Sequence, residues 1–317
     1  MKTMKYSKTI MISGTTATYM LVLVIINTTS AKEKDATQKE GYKDLGEHTM
    51  VTDSETFPYV AAILRKTTYI SAGALIDDRW VITAGDSLFL LQDSSRIIRV
   101  RLGSINHKKG GILTPIKYFQ IHPFFDDNKP QYDIALIRLS QPVRLTPNLY
   151  PIRLQPRPKE VAATHFIVTG WQTRPNMPPA EGNRFLESLD SIRRHRLLTV
   201  SHLHPTYPEE CSEQLGISGL NDTGDTLMCL DLAVGTNPCE RQAGAPVVLN
   251  GVLWGIVSSW KPEDCDLDSG PAYVVLVAAT NISSWLQATL HDNNWKPRLR
   301  ENDLDEKRIS YETNNQL

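Results

Sequence analysis

The run Trp80-Val-Ile-Thr-Ala-Gly-Asp-Ser87 decides the first question about the fold. Its opening residues, Trp80 to Thr83, are aromatic or β-branched, the side chains that suit a half-buried pleated strand, and Gly85 punctuates the run. Working outward, similar short runs recur on both sides. Tyr59-Val-Ala-Ala-Ile-Leu64 precedes it, and Ile97-Ile-Arg-Val-Arg-Leu102 and Ile134-Ala-Leu-Ile-Arg-Leu139 follow. Further on come Phe166-Ile-Val168, Ala245-Pro-Val-Val-Leu249 and Val252-Leu-Trp-Gly-Ile-Val257. Clusters of Asn, Gly, Pro and Asp separate them. Many short strands with turn residues between them predict an all-β sandwich or barrel rather than alternating strand–helix units. No dinucleotide or phosphate-loop glycine motif is present, and no fixed-period repeat. One helix is expected near the end, where Ile282, Trp285, Leu286 and Leu290 recur at helical spacing behind Asn281 as a cap.

Composition narrows the function classes. The 317 residues are 41% hydrophobic and 22% charged, enough apolar material for a core. With 34 Lys and Arg against 35 Asp and Glu, the chain lacks the basic excess of a nucleic-acid binder. Nineteen Pro and 18 Gly spread along it rule out a long coiled coil.

The N-terminus reads as a secretory signal over residues 1–31. Lys2, Lys5 and Lys8 make a basic start, Tyr19-Met-Leu-Val-Leu-Val-Ile-Ile26 an apolar centre, and Thr29-Ser30-Ala31 a small-residue cleavage site. The centre is too short to cross about 30 Å of hydrocarbon. The alternative is an uncleaved anchor extended by the stretch from Thr9, which would make a membrane-anchored interaction protein. Cleavage removes three lysines and no acid, so the net charge moves from −1 to −4. Residues 32–49 form a polar lead-in, and 291–317 a polar tail expected to be disordered. In an oxidising compartment the four cysteines Cys211, Cys229, Cys239 and Cys265 are expected to form disulfides, with three pairings open. Their spacing fits no zinc pattern. The tripeptides at Asn221 and Asn281 are candidate glycosylation sites on this route.

Five segments, taken in order over residues 50–290, resemble the trypsin/chymotrypsin-type serine protease family. Gly73-Ala-Leu-Ile76 with Trp80–Ser87 resembles the stretch around the family's catalytic histidine. Tyr132-Asp-Ile-Ala-Leu-Ile-Arg-Leu139 is similar to its aspartate segment. Val168-Thr-Gly-Trp171, Cys239-Glu-Arg-Gln-Ala-Gly-Ala-Pro-Val-Val248 and Gly255-Ile-Val-Ser-Ser-Trp260 match three more, the second of them the nucleophile loop. The resemblance implies a double antiparallel β-barrel with a C-terminal helix. It also implies the bridges Cys211–Cys229 and Cys239–Cys265. A third family bridge has lost both ends together, at Ser71 and Ser87.

The chemistry does not come with the resemblance. The family's mechanism needs a serine hydroxyl, a histidine to take its proton and an aspartate to orient that histidine. Here the histidine position is Asp86 and the serine position is Ala243, and only the aspartate, Asp133, remains. Ala243 has no atom to acylate. Arg241 stands at the oxyanion-hole glycine and Gln242 at the aspartate that receives a cleaved N-terminus. Asn237 and Pro271 stand at pocket positions, with Ala245 and Lys261 replacing further glycines. The expectation is an inactive homologue with no catalytic residue, no metal and no cofactor. It would act by binding an extracellular protein, such as an active protease or its substrate, as regulator, cofactor or decoy in a reproductive or immune fluid. Neither nucleic acid nor, after signal cleavage, membrane is an expected partner. The competing reading is an active endopeptidase with an atypical site.

Other clusters read more simply as structural. Asp86 beside Asp133 invites a proton-sharing dyad, but the second half of an aspartic-protease site is absent. His202-Leu-His204 with His195 is read as solvated histidines in a surface loop and short helix. Arg193-Arg-His-Arg196 is read as a solvated basic loop, with an anionic sulfated glycan as the alternative contact.

Overall fold

The structure is a computed structural model that describes residues 49–156, 165–171, 195–206, 211, 226–233, 242–261 and 270–291. All of them belong to one compact unit, Lys43–Leu317. Six strands form a closed antiparallel barrel: β2 (Val60–Arg65), β3 (Thr68–Leu75), β4 (Trp80–Thr83), β5 (Ile98–Leu102), β6 (Ile112–Ile121) and β7 (Ala135–Leu139), in the order β2-β3-β4-β7-β6-β5. Alternation along β5 shows how the barrel is filled. Ile98, Val100 and Leu102 are fully buried inside, whereas Arg99 and Arg101 face outward. Ala61, Ile63, Val81 and Ile137 complete that interior.

The second sheet has eight strands and stays open. It comprises β1 (Thr49–Met50), β8 (Arg153–Leu154), β9 (Phe166–Gly170), β10 (Thr199–Leu203), β11 (Leu227–Leu230), β12 (Pro246–Leu249), β13 (Val252–Val257) and β14 (Ala272–Leu276). The path runs β1-β10-β9-β12-β13-β14-β11, with β8 parallel to β13. Strand β1 starts at Thr49, one residue inside the stretch read as the lead-in. The two sheets share a core. Ala62 and Ala72, on the outer face of the barrel, belong to the same buried cluster as Val168, Val247 and Ile256 of the second sheet. The architecture is the mostly β, double-barrel fold expected, one barrel closed and the other a half-barrel.

The C-terminal helix is present, as Thr280–His291, with Ile282 and Leu286 buried against the shared core. Asn281 does not cap it. The helix begins one residue earlier, and the Asn281 Nδ2 donates instead to the Tyr132 hydroxyl at 3.2 Å. His202 also departs from its reading, because it lies on β10 opposite Ile167 rather than in a loop. Its ring centroid is 5.2 Å from that of His165. Among the described residues no group of three or more His, Cys, Asp or Glu could hold a metal, and no helix is long and apolar enough to cross a membrane.

Candidate functional site

Strand β4 ends at Thr83, and a one-turn helix, α1 (Asp86–Phe89), follows immediately. This turn sets Asp86 against Asp133, which precedes β7. The Asp86 backbone N–H donates to Asp133 Oδ1 at 2.7 Å. Asp133 is 1% exposed, and its other oxygen takes three donors from the segment just after β13. These are the Ser258 hydroxyl at 2.7 Å, the Ser259 N–H at 2.8 Å and the Ser259 hydroxyl at 2.9 Å. Four donors satisfy a buried carboxylate that has no ion-pair partner among the described residues.

Ser259 also reaches Asp86 Oδ2, again at 2.9 Å. A serine carries one hydroxyl hydrogen and cannot donate it fully to two carboxylates. The hydroxyl is shared between the two carboxylates, 2.9 Å from each. Asp86 keeps some exposed surface, yet its carboxyl is raised above the ordinary carboxylate range. Loss of water on the side facing the protein is the main cause and the Asp133 charge the next, with Asp127 adding and the Ser259 bond opposing.

Ala243 sits on the loop that enters β12. Its carbonyl accepts the Ala72 N–H at 2.9 Å and the Ser71 hydroxyl at 3.0 Å. Ser71 in turn lies 2.9 Å from Thr83 Oγ1, so Ala243 is fastened to the end of β4, three residues before Asp86. The next residue must be glycine. Gly244 has φ +74°, and a Cβ there would meet Ala72 O at 2.2 Å and Ser71 Oγ at 2.3 Å. The Gln242 Nε2 donates to Thr199 Oγ1 of β10 at 3.4 Å, a long, weak contact. The hydroxyls around these positions (Ser71, Thr83, Ser258 and Ser259) bond carbonyl or carboxylate oxygens or one another, and Ser258 Oγ also accepts the Trp260 N–H. None meets a histidine.

The structure therefore draws Asp86, Asp133 and Ala243 around the end of β4. Pro271 is buried directly before β14, and Lys261 is exposed. Cys211 and Cys229 are bridged, with 5.8 Å between their Cα atoms. Asn237, Cys239, Arg241, Cys265 and Asn221 lie outside the described residues. His122 is buried and stacked on Tyr132, with ring centroids 4.7 Å apart. Burial lowers its pKa to about 4. Sequence reading missed the two serines that hold Asp133. Their signal was Gly255-Ile-Val-Ser-Ser-Trp260, recognised as a segment but not as a source of carboxylate donors. It also missed Trp260, whose Nε1 donates to Asn128 O at 2.9 Å while its ring meets Tyr273 edge-on at 5.1 Å.

Comparison with known proteins agrees with this fold. Trypsin 5G1 of Aedes aegypti is 28% identical over 193 residues, covering 60% of this chain and 65% of its own length. Kallikrein-15 of Saguinus oedipus is 27% identical over 248 residues, 74% of this chain and 88% of its own. The structure of neuropsin, described as a serine protease expressed in the limbic system of mouse brain, shares the fold at a TM-score of 0.58 and 23% identity. That match covers 77% of this chain and 99% of neuropsin. The family profile described as Trypsin matches residues 48–286. The chain belongs to the trypsin-like serine protease family.

Proposed function

We propose that this member of the family does not cleave peptide bonds and is a secreted protein that acts by binding. The observation that carries the reading is the methyl group of Ala243 at the nucleophile's position, with Asp86 where the proton-accepting imidazole belongs. Covalent catalysis needs a nucleophile and a base within hydrogen-bond reach. Loss of either costs on the order of a million-fold in turnover in the best-studied hydrolase. Gln242 supports the same reading, since an amide cannot form the ion pair with a new N-terminus that a carboxylate forms. Arg241 in place of the oxyanion-hole glycine supports it as well. The bridge Cys239–Cys265 and removal of residues 1–31 belong to this proposal. So do extracellular partners, an active protease or its substrate, for which the protein would serve as regulator, cofactor or decoy.

Two measurements test it together. Expression in animal cells should release a protein whose N-terminus is Lys32. That material should leave a fluorogenic peptide library intact at micromolar concentration. Turnover of the library that follows the protein through purification would contradict the proposal, and a retained residue 1 would refute secretion by cleavage.

A further inference from the structure

Two stretches of the first barrel have an unusual charge distribution. Between Glu55 and Asp77, and again between Asp93 and Asp126, the sequence has no acidic residue. Those two segments hold eight of the 34 lysines and arginines and none of the 35 acids, so the acidic excess lies elsewhere in the chain. Folding brings several of them together. The turn between β2 and β3 exposes Arg65 and Lys66 and is held to the start of β5 by a Lys66 N–H bond to Ile97 O of 2.7 Å. Arg99 and Arg101 point outward from β5. The loop between β5 and β6 folds over toward that turn, and Lys108 Nζ donates to Thr67 O at 2.7 Å.

What fixes the arginines is neutral. Arg99 donates to the carbonyls of Arg96 and Ile98, and Arg101 to those of His107, Lys108 and Gly110. Backbone carbonyls satisfy the donors and leave the positive charge in place. His107, inside this loop, reports the resulting field. Its pKa falls to about 4, through burial first and then through Lys108, Arg196 and Arg101. Arg196 joins the group because its carbonyl accepts the His107 N–H at 3.2 Å.

An aliphatic side chain lies on the same surface: Leu113 of β6 is 47% exposed and stands directly opposite Arg101 in the register. A sulfated polysaccharide would pair with the cations and gain nothing from this residue. A polypeptide with acidic side chains around a leucine or phenylalanine would use both features. We infer that the outer face of β5 and β6, with the turn at residues 65–68 and the loop at 104–111, is a docking surface for an acidic, apolar-bearing protein segment. The inference uses none of Asp86, Asp133 and Ala243 and stands whether or not the cleft is inert.

The probe is a fluorescein-labelled dodecapeptide of Asp and Glu interrupted by two Phe and one Leu, read by fluorescence anisotropy on the full secreted protein. Binding should weaken steeply as salt rises from 50 to 500 mM, because the attraction acts across a screened surface. The double variant Arg65→Glu/Lys109→Glu should lose about tenfold in affinity, and Leu113→Ser about threefold. Arg144→Glu, an exposed cation elsewhere, should leave affinity unchanged; matched circular dichroism keeps the comparison to folded proteins. Heparin serves as the competing ligand. Failure of the peptide to bind, an equal loss in Arg144→Glu, or heparin binding that outlasts peptide binding and ignores Leu113→Ser would each overturn the inference. None of these outcomes bears on peptidase activity.

Discussion

Replacing Asp133 by alanine should destabilise the fold severely, although the account gives Asp133 no catalytic work. The side chain is 1% exposed and accepts donors from Asp86 N, Ser258 Oγ, Ser259 N and Ser259 Oγ, all between 2.7 and 2.9 Å. Alanine orphans them unequally. Asp86 keeps exposed surface, so water can reach its amide, and the Ser259 hydroxyl can turn wholly to the Asp86 carboxyl. The Ser258 hydroxyl is on a fully buried residue and, with the Ser259 amide, loses its acceptor outright. A buried donor left unpaired costs about 1–3 kcal/mol, and bonds to a charged acceptor sit toward the upper end. The buried Ser258 orphan, the half-buried Ser259 amide and the cavity give about 3–5 kcal/mol, a large part of a typical domain's 5–15 kcal/mol. Asp133→Asn keeps the volume and one acceptor oxygen and should cost about 2 kcal/mol. Urea unfolding of the disulfide-intact protein, followed by circular dichroism, measures both. Asp133→Ala within about 0.5 kcal/mol of wild type would refute the reasoning, because the donors would then have to be satisfied without it.

Three further outcomes follow from the same site. The Asp86 carboxyl is raised above its ordinary value of 3.8, so its contribution is present at acid pH and is lost as pH climbs through the raised value. The stability of Asp86→Asn relative to wild type should therefore increase with pH across that window, and parallel pH profiles would contradict the assignment. Gly244→Ala, with its Cβ forced onto Ala72 O at φ +74°, should lose at least about 2 kcal/mol in the same unfolding assay. Ala243→Ser should fold and remain without peptidase activity, because a hydroxyl there finds no imidazole; hydrolysis by this single variant would show that another base serves.

Much of the fold was legible because the decisive strands carry their burial in their side chains. Trp80–Thr83 and Val252–Val257 have in the structure the bounds their apolar runs suggested. Strand β6 was not seen. Pro115 sits inside it, and proline within a run argues against a strand; here it lies opposite Arg99, and its carbonyl still accepts Ser140 N–H at 3.1 Å. Strand β10 was missed for the opposite reason: its buried positions include the polar Thr199 and Ser201. The site divides along the same line. Asp86, Asp133 and Ala243 could be read as single positions, since each is an identity at a fixed place in a motif. The Ser258 and Ser259 bonds to Asp133 join residues more than a hundred positions apart, and a pair of serines has no pattern that announces such a partner. The face around Arg99 and Arg101 was invisible until the β2–β3 turn and the β5–β6 loop were brought side by side.

The most direct test of the central claim is covalent. The native, secreted protein, at micromolar concentration and across pH 5 to 9, is treated with a fluorophosphonate probe beside a heat-denatured sample and an active trypsin. A chain with a methyl group at position 243 should take up no more label than its denatured control. Stoichiometric labelling that vanishes on denaturation, mapped by peptide mass to any serine or threonine near the end of β4, would show a live nucleophile and contradict the account.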